Sequence, residues 1–311
     1  MIPLFYSPRF FADIGDHIMP IDKYRLVAQA LAQRAADDGL PVELREPGPA
    51  SDEDILRVHD ERYLRAVQSG EPRELAESQK FPWSPGLAEA VRFTNGACIA
   101  AVDAALEGDV AGCLASGFHH AHRDHGEGFC TFNGLVIALA RAQARGALGR
   151  ALIVDLDLHY GNGTAALLSE LDEIFAVSVY GCWYQHNRST PDIDSTRAED
   201  THNCASFAVA NGSGAETYLA VVERALAEAF ERARPELVLY HDGADPLRDD
   251  PYSPLDLGVD DLRARDALVF EAARAAGARC AWALGGGYSE DISQVVAVHV
   301  NTAVTACEVF R

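Results

Sequence analysis

The chain of 311 residues is 48% hydrophobic, enough for a large buried core, and nothing in its composition marks disorder or low complexity. Its 26 Lys and Arg stand against 47 Asp and Glu, a formal charge of −21; a field of that sign repels phosphate backbones and anionic membranes and argues against direct nucleic-acid binding. The seven cysteines are odd in number and form no CxxC pair, which fits reduced core thiols in a cytoplasmic protein better than a disulfide framework or a four-cysteine zinc site.

The N-terminus, Met1-Ile2-Pro3-Leu4-Phe5, has no basic region and soon meets Asp13 and Asp16, so no signal peptide is expected. From there a short apolar run, a polar Gly-containing loop and a helical pattern recur. The runs are residues 4–6, 110–115, 151–154, 174–179, 237–240 and 280–284; such segments, bounded by turn residues, read as strands buried on both faces. A helix over 215–234 places Tyr218, Val222, Ala225 and Ala229 on one face and stops at Pro235. Asp260 is the expected N-cap of another, carrying Leu262, Val269, Ala273 and Ala276 and closed by Gly277. Residues 292–307 carry Ser, Gln, His, Asn and Thr and read as too short and too polar to span a bilayer. Alternating strands and helices imply an α/β fold with a mostly parallel sheet covered on both faces, a single domain over residues 1–311.

Open sheets of this kind place their sites beyond the carboxyl ends of the strands. Four of these ends carry reactive side chains: His119-His120, then Asp155-Leu156-Asp157-Leu158-His159, then Asp245, then Gly285-Gly286-Gly287-Tyr288. In extended chain Asp155, Asp157 and His159 share one face, with Leu156 and Leu158 on the other. Strand-end aspartates also cap turns, so this pattern alone is ambiguous. Asp245 adds a carboxylate from another strand, and two carboxylates with one imidazole leave a position open for water, the layout of a catalytic zinc. The same ligands also admit Fe2+ or Mn2+.

The tandem histidines suit acid–base work, with Asp155 and Asn162 available to accept their second N–H. An aspartate partner favours imidazolium, whereas a neutral asparagine leaves a histidine better suited to act as a base. Tyr288 reads either as the end of a tight turn or as a hydroxyl on a flexible loop, aimed at an oxyanion.

Together, Gly117-Phe118-His119-His120-Ala121, Gly128-Phe129-Cys130, residues 155–164, Gly243-Ala244-Asp245 and residues 284–288 resemble in order and spacing the histone deacetylase superfamily. The chain looks closest to bacterial members related to the class IV deacetylases. The likeness runs from about Tyr24 nearly to the C-terminus and includes His59-Asp60-Glu61-Arg62-Tyr63-Leu64. It implies a three-layer arginase/deacetylase-like fold, with zinc held by Asp157, His159 and Asp245. It further implies His119 paired with Asp155, His120 paired with Asn162 and acting as general base and acid, and Tyr288 polarising the carbonyl. A structural K+ near Asp155, Asp157, His159 and Ser178 belongs to the same expectation.

Tyr160, Gly134, Asp242 and Ser116 depart from the usual family residues, although none removes a ligand or catalyst. The implied reaction is zinc-dependent removal of an acyl group, acetyl foremost, from an amine such as acyl-lysine or acylpolyamine. A dinuclear-metal ureohydrolase would need further bridging aspartates; a non-catalytic binding homologue would not need the complete set of ligands. Residues 192–194, Asp249-Asp250 and Asp242 read either as solvated or turn-capping carboxylates or as an acidic rim around the mouth of the site, where they would favour a cationic substrate.

Overall fold

The computed structural model describes residues 1–183, 188–189 and 200–311, and side chains outside 182–199. In chain order the elements begin β1 (Ile2–Phe5), α1 (Lys23–Asp37), β2 (Val42–Arg45), α2 (Asp52–Leu56), α3 (Glu61–Ser69), α4 (Arg73–Ala76) and α5 (Pro85–Glu107). Then come β3 (Val110–Ser116), α6 (Gly134–Ala144), β4 (Ala151–Asp155), α7 (Asn162–Leu168) and β5 (Ile174–Tyr180). The short β6 (Cys182–Trp183) and β7 (Arg188–Ser189) pair with each other, and β8 (Cys204–Ala208) follows. The chain closes with α8 (Ala215–Ala233), β9 (Leu237–Asp242), α9 (Val259–Ala275), β10 (Arg279–Leu284) and α10 (Ile292–Val309).

Eight strands form one sheet in the order β2-β1-β3-β10-β9-β4-β5-β8, and every neighbouring pair is parallel. On one face α5, backed by α6, packs on β1, β3 and β10; on the other the row α1, α10, α9, α8 covers the sheet. This is the three-layer α/β/α architecture. All six expected strands are present, each within about two residues of its expected ends. The two that the apolar runs did not reveal, β2 and β8, are the sheet's edges. β2 (Val-Glu-Leu-Arg) is half exposed, and β8 is built from small residues with little strand preference.

Two helix ends differ from expectation. The N-cap of α9 is Gly258, whose N–H donates to Asp261 Oδ2 at 2.8 Å, so Asp260 lies in the first turn. α10 runs on to Val309, and among the described residues it is the one helix long and apolar enough by composition to cross a membrane. It packs between α1 and α9 with most of its residues buried, as a helix of the core layer does.

The site lies where β3, β10, β9 and β4 end side by side at the middle of the sheet. Beneath it, fully buried Arg265 of α9 donates to Leu156 O at 3.3 Å and Gly243 O at 2.6 Å, tying together the loops that leave β4 and β9. Asp266 neutralises it at 2.8 Å and is itself held by Tyr240 and Thr302.

Candidate active site

β3 delivers the histidines through a sharp turn. Ser116 Oγ accepts the Phe118 N–H at 3.2 Å, and Phe118 takes a left-handed φ of 59°. His119 and His120 then fold back against α7, where a Cβ on Gly163 would lie 2.4 Å from the His120 carbonyl carbon. Only glycine permits that approach.

The expected pairings are present. His119 Nδ1 donates to Asp155 Oδ2 at 2.7 Å, and His120 Nδ1 donates to Asn162 Oδ1 at 2.6 Å. The two rings lie 4.0 Å apart, centre to centre. Burial pulls the His119 imidazole down, but the charges of Asp155 and Asp157 outweigh it and leave it raised. Burial also acts first on His120, and there positive neighbours reinforce it; the Asn162 hydrogen bond offsets too little, and His120 stays well below the ordinary histidine range. The two imidazoles are thus shifted in opposite directions.

Asp157, His159 and Asp245 are buried, each offering a ligand atom within 4.8 Å of the others. The outer oxygens are anchored by backbone: Gly286 N–H donates to Asp157 Oδ2 at 2.6 Å, and Leu158 N–H to Asp245 Oδ1 at 3.0 Å. The inner oxygens, Asp157 Oδ1 and Asp245 Oδ2, face His159 Nδ1 at 3.2 and 3.1 Å. Burial, then the like charge of Asp157, raises the Asp245 carboxyl, while hydrogen bonds donated to both carboxylates raise His159 in spite of its burial. The cluster draws positive charge to its centre. Two carboxylate oxygens and an imidazole are also a suitable donor set for a catalytic divalent metal with a position left for water.

Tyr288 is half-buried, with its ring edge-on to Tyr252 at 5.2 Å and 6.5 Å from that of His159. Burial, then the charges of Asp245 and Asp157, hold its phenol well above the ordinary range, so it remains a hydrogen-bond donor. The glycines before it serve close approach more than flexibility. A Cβ on Gly286 would sit 2.1 Å from Asp245 Oδ2, and one on Gly285 would sit 2.6 Å from Gly243 Cα. Only Gly287, at φ 141°, needs the freedom of glycine in its backbone. Ser178, on β5 beside Asp155, accepts the Gly161 N–H at 3.5 Å.

Two members of the expected acidic rim, Asp242 and Asp250, lie in the interior instead. Asp242 is fully buried, 3.1 Å from His299 of α10. Asp250 is also buried; its oxygens accept the N–H groups of Tyr252 and Tyr288, and burial with the charge of Asp245 pushes its carboxyl up to about 7. Asp249 is exposed, and residues 192–194 lie outside the described residues. Tyr160 packs against Tyr180 in the core, and a side chain on Gly134 would meet Cys98 Sγ at 2.9 Å, so both departures answer to packing. Six cysteines are buried free thiols, and the side chain of Cys182 lies outside the described ones.

The motifs did not reveal three residues that complete the site. Lys23, fully buried, donates to Gly285 O at 2.7 Å; its signal was that the chain has only two lysines. His17 packs edge-on against Phe129 at 4.7 Å and Phe81 at 5.0 Å, closing an aromatic wall beside Tyr288. Glu127 Oε2 accepts the Asn162 amide at 2.7 Å and so fixes which Asn162 atom faces His120.

Residues 17–304 match the histone deacetylase domain. The chain is 34% identical over 256 residues to the histone deacetylase-like amidohydrolase of Pseudomonas aeruginosa, covering 80% of this chain and 67% of that one. It is 30% identical to an uncharacterised protein of Picosynechococcus sp. over 96% of this chain and 95% of the relative. It is similar in fold to the crystal structure of the HDA15 HD domain, with a TM-score of 0.80 at 20% identity over 99% of this chain and 88% of that one.

Proposed function

The chain belongs to the histone deacetylase family, and on that footing we propose that it is a zinc-dependent hydrolase removing an acyl group, acetyl foremost, from an amine nitrogen. The observation that carries the proposal is the convergence of Asp157, His159 and Asp245 with two differently partnered histidines and Tyr288 at four adjacent strand ends.

Asp157, His159 and Asp245 would hold the metal, which when bound supplies Lewis-acid polarisation of the carbonyl and a more acidic water. His120, neutral and with Nδ1 committed to Asn162, takes the water proton at Nε2 and returns it to the leaving amine. His119, shifted toward its charged form by Asp155, favours negative charge developing beside it. The Tyr288 hydroxyl donates to the carbonyl oxygen as it becomes an oxyanion. Phe129 and Tyr252, packed against Tyr288, keep water away from the acyl group.

Acyl-lysine and acylpolyamine are the proposed substrate classes, with a K+ beside Asp155, Asp157, His159 and Ser178 as a structural companion. A single catalytic domain and a cytoplasmic location belong to the same proposal, the latter supported by the six buried thiols. The test is turnover by zinc-loaded protein across acetyl- and longer acyl-lysines and acylpolyamines, with release of the free amine measured. No hydrolysis of any member by protein carrying stoichiometric zinc would refute it.

A further inference from the structure

Just beyond the catalytic histidines, the chain gathers a second group of metal-binding side chains. His122 N–H donates to His125 O at 3.0 Å, closing a tight turn that stacks the two imidazoles 4.6 Å apart and 5° from parallel. Glu127 follows, its backbone locked to Cys130 in both directions, and buried His59 holds the His122 carbonyl at 2.8 Å. His122, His125 and Glu127 each offer a ligand atom within 4.8 Å of the others.

We propose that His122, His125 and Glu127 form a second, solvent-facing site for a borderline divalent metal ion such as zinc, nickel or copper, and that its occupancy is felt at His120 through Asn162.

Three features support the site. Two imidazoles and a carboxylate are a ligand set that zinc takes with water completing its coordination, and imidazole equally suits nickel and copper. Asp124 Oδ1 takes His125 Nδ1–H at 2.7 Å, the carboxylate–histidine arrangement that leaves the lone pair on Nε2 and raises its strength as a ligand. The side chains of His122, His125 and Glu127 are 21%, 45% and 23% exposed, so an ion can enter from solvent and keep some of its water.

The coupling runs through one carboxamide. Asn162 Nδ2 donates to Glu127 Oε2 at 2.7 Å and lies 3.3 Å from His122 Nε2, while Asn162 Oδ1 fixes His120 Nδ1–H. An ion drawing on Glu127 Oε2 and His122 Nε2 takes away the acceptors of that amide, which can then turn and release the His120 ring. Metal binding at the outer site stands on its own; the effect on turnover rests on His120 acting as base.

Equilibrate the intact protein with zinc, remove free metal by gel filtration, and count the retained metal in wild type, Asp157→Ala and His125→Ala. Wild type should keep about one equivalent more than either variant, as expected for two independent sites each lacking one of three ligands. Turnover of wild type should fall severalfold as zinc is raised beyond the first equivalent, and His125→Ala should lose that inhibition. A wild type holding the same metal as His125→Ala overturns the site. Equal inhibition of both proteins overturns the coupling. Loss of metal and turnover in Asp157→Ala alone reports on the catalytic centre and leaves the two questions separate.

Discussion

Replacing His59 by phenylalanine tests how the catalytic turn is held. His59 is 1% exposed, donates through Nδ1 to His122 O at 2.8 Å and accepts the Asn133 N–H at Nε2 at 3.0 Å. Acceptance at Nε2 requires the neutral ring, whereas the Nδ1 bond survives protonation, and burial drives the ring's pKa from 6.5 down to about 4. At 1.36 kcal/mol per pKa unit, that depression is linked to about 3 kcal/mol of stability. The unfolded chain takes up the proton first. The stabilisation is therefore complete above the unfolded pKa and is lost as pH falls from 6.5 through about 4. Phenylalanine cannot take the proton. It leaves the His122 carbonyl and the Asn133 N–H without their partner, at about 1–3 kcal/mol each, a cost that does not vary with pH. Urea unfolding of wild type and His59→Phe in chelator should show the largest gap at neutral pH, narrowing by about 3 kcal/mol toward pH ~4. A gap that stays constant across that range would refute the neutral, doubly bonded histidine.

Three further outcomes follow from the site's geometry. Asp157→Ala or Asp245→Ala should lose both bound metal and turnover, read by elemental analysis and a fluorogenic acyl-lysine assay, because each removes one of the three proposed ligands. His120→Ala should keep its metal but lose at least ~100-fold in rate, and Tyr288→Phe should cost a comparable factor; near-normal kcat in both would remove their assigned roles. Gly286→Ala should weaken metal affinity by about 10–100-fold, because its methyl would meet Asp245 Oδ2 at 2.1 Å and displace the N–H that holds Asp157; an unchanged Kd would mean that the loop can yield.

Much of this was legible in the sequence where the physics is local. The inner strands are buried on both faces, so their residues are continuously apolar, whereas β2 and β8 lie at the edges and lack that signature. Side-chain alternation put Asp155, Asp157 and His159 on one face, and the pairings of His119 and His120 followed from the resemblance and from partner chemistry. What depends on tertiary contact was not legible. Asp242 and Asp250 look like surface charges in sequence, but one meets His299 and the other caps the backbone of Tyr252 and Tyr288. The run of glycines before Tyr288 signals mobility to a reader of sequence; only the fold shows two carboxylates lying where side chains would otherwise go.

The strand order also dictates when the protein can become an enzyme. β9 and β10 lie between β3 and β4, yet both are synthesised after them. A nascent chain that has completed β8 therefore holds two partial sheets whose facing apolar edges have no neighbours, a state prone to mispairing. Insertion of residues 237–284 closes that gap and, in the same movement, brings Asp245 beside Asp157. Closing the sheet from its middle carries a large loop-closure cost and delays native pairing, as long-range parallel pairing does in general. The reward is a safeguard: an intermediate without β9 lacks Asp245 beside Asp157, and one without β10 lacks both Tyr288 and the Gly286 N–H on Asp157, so the full constellation waits until the sheet is whole.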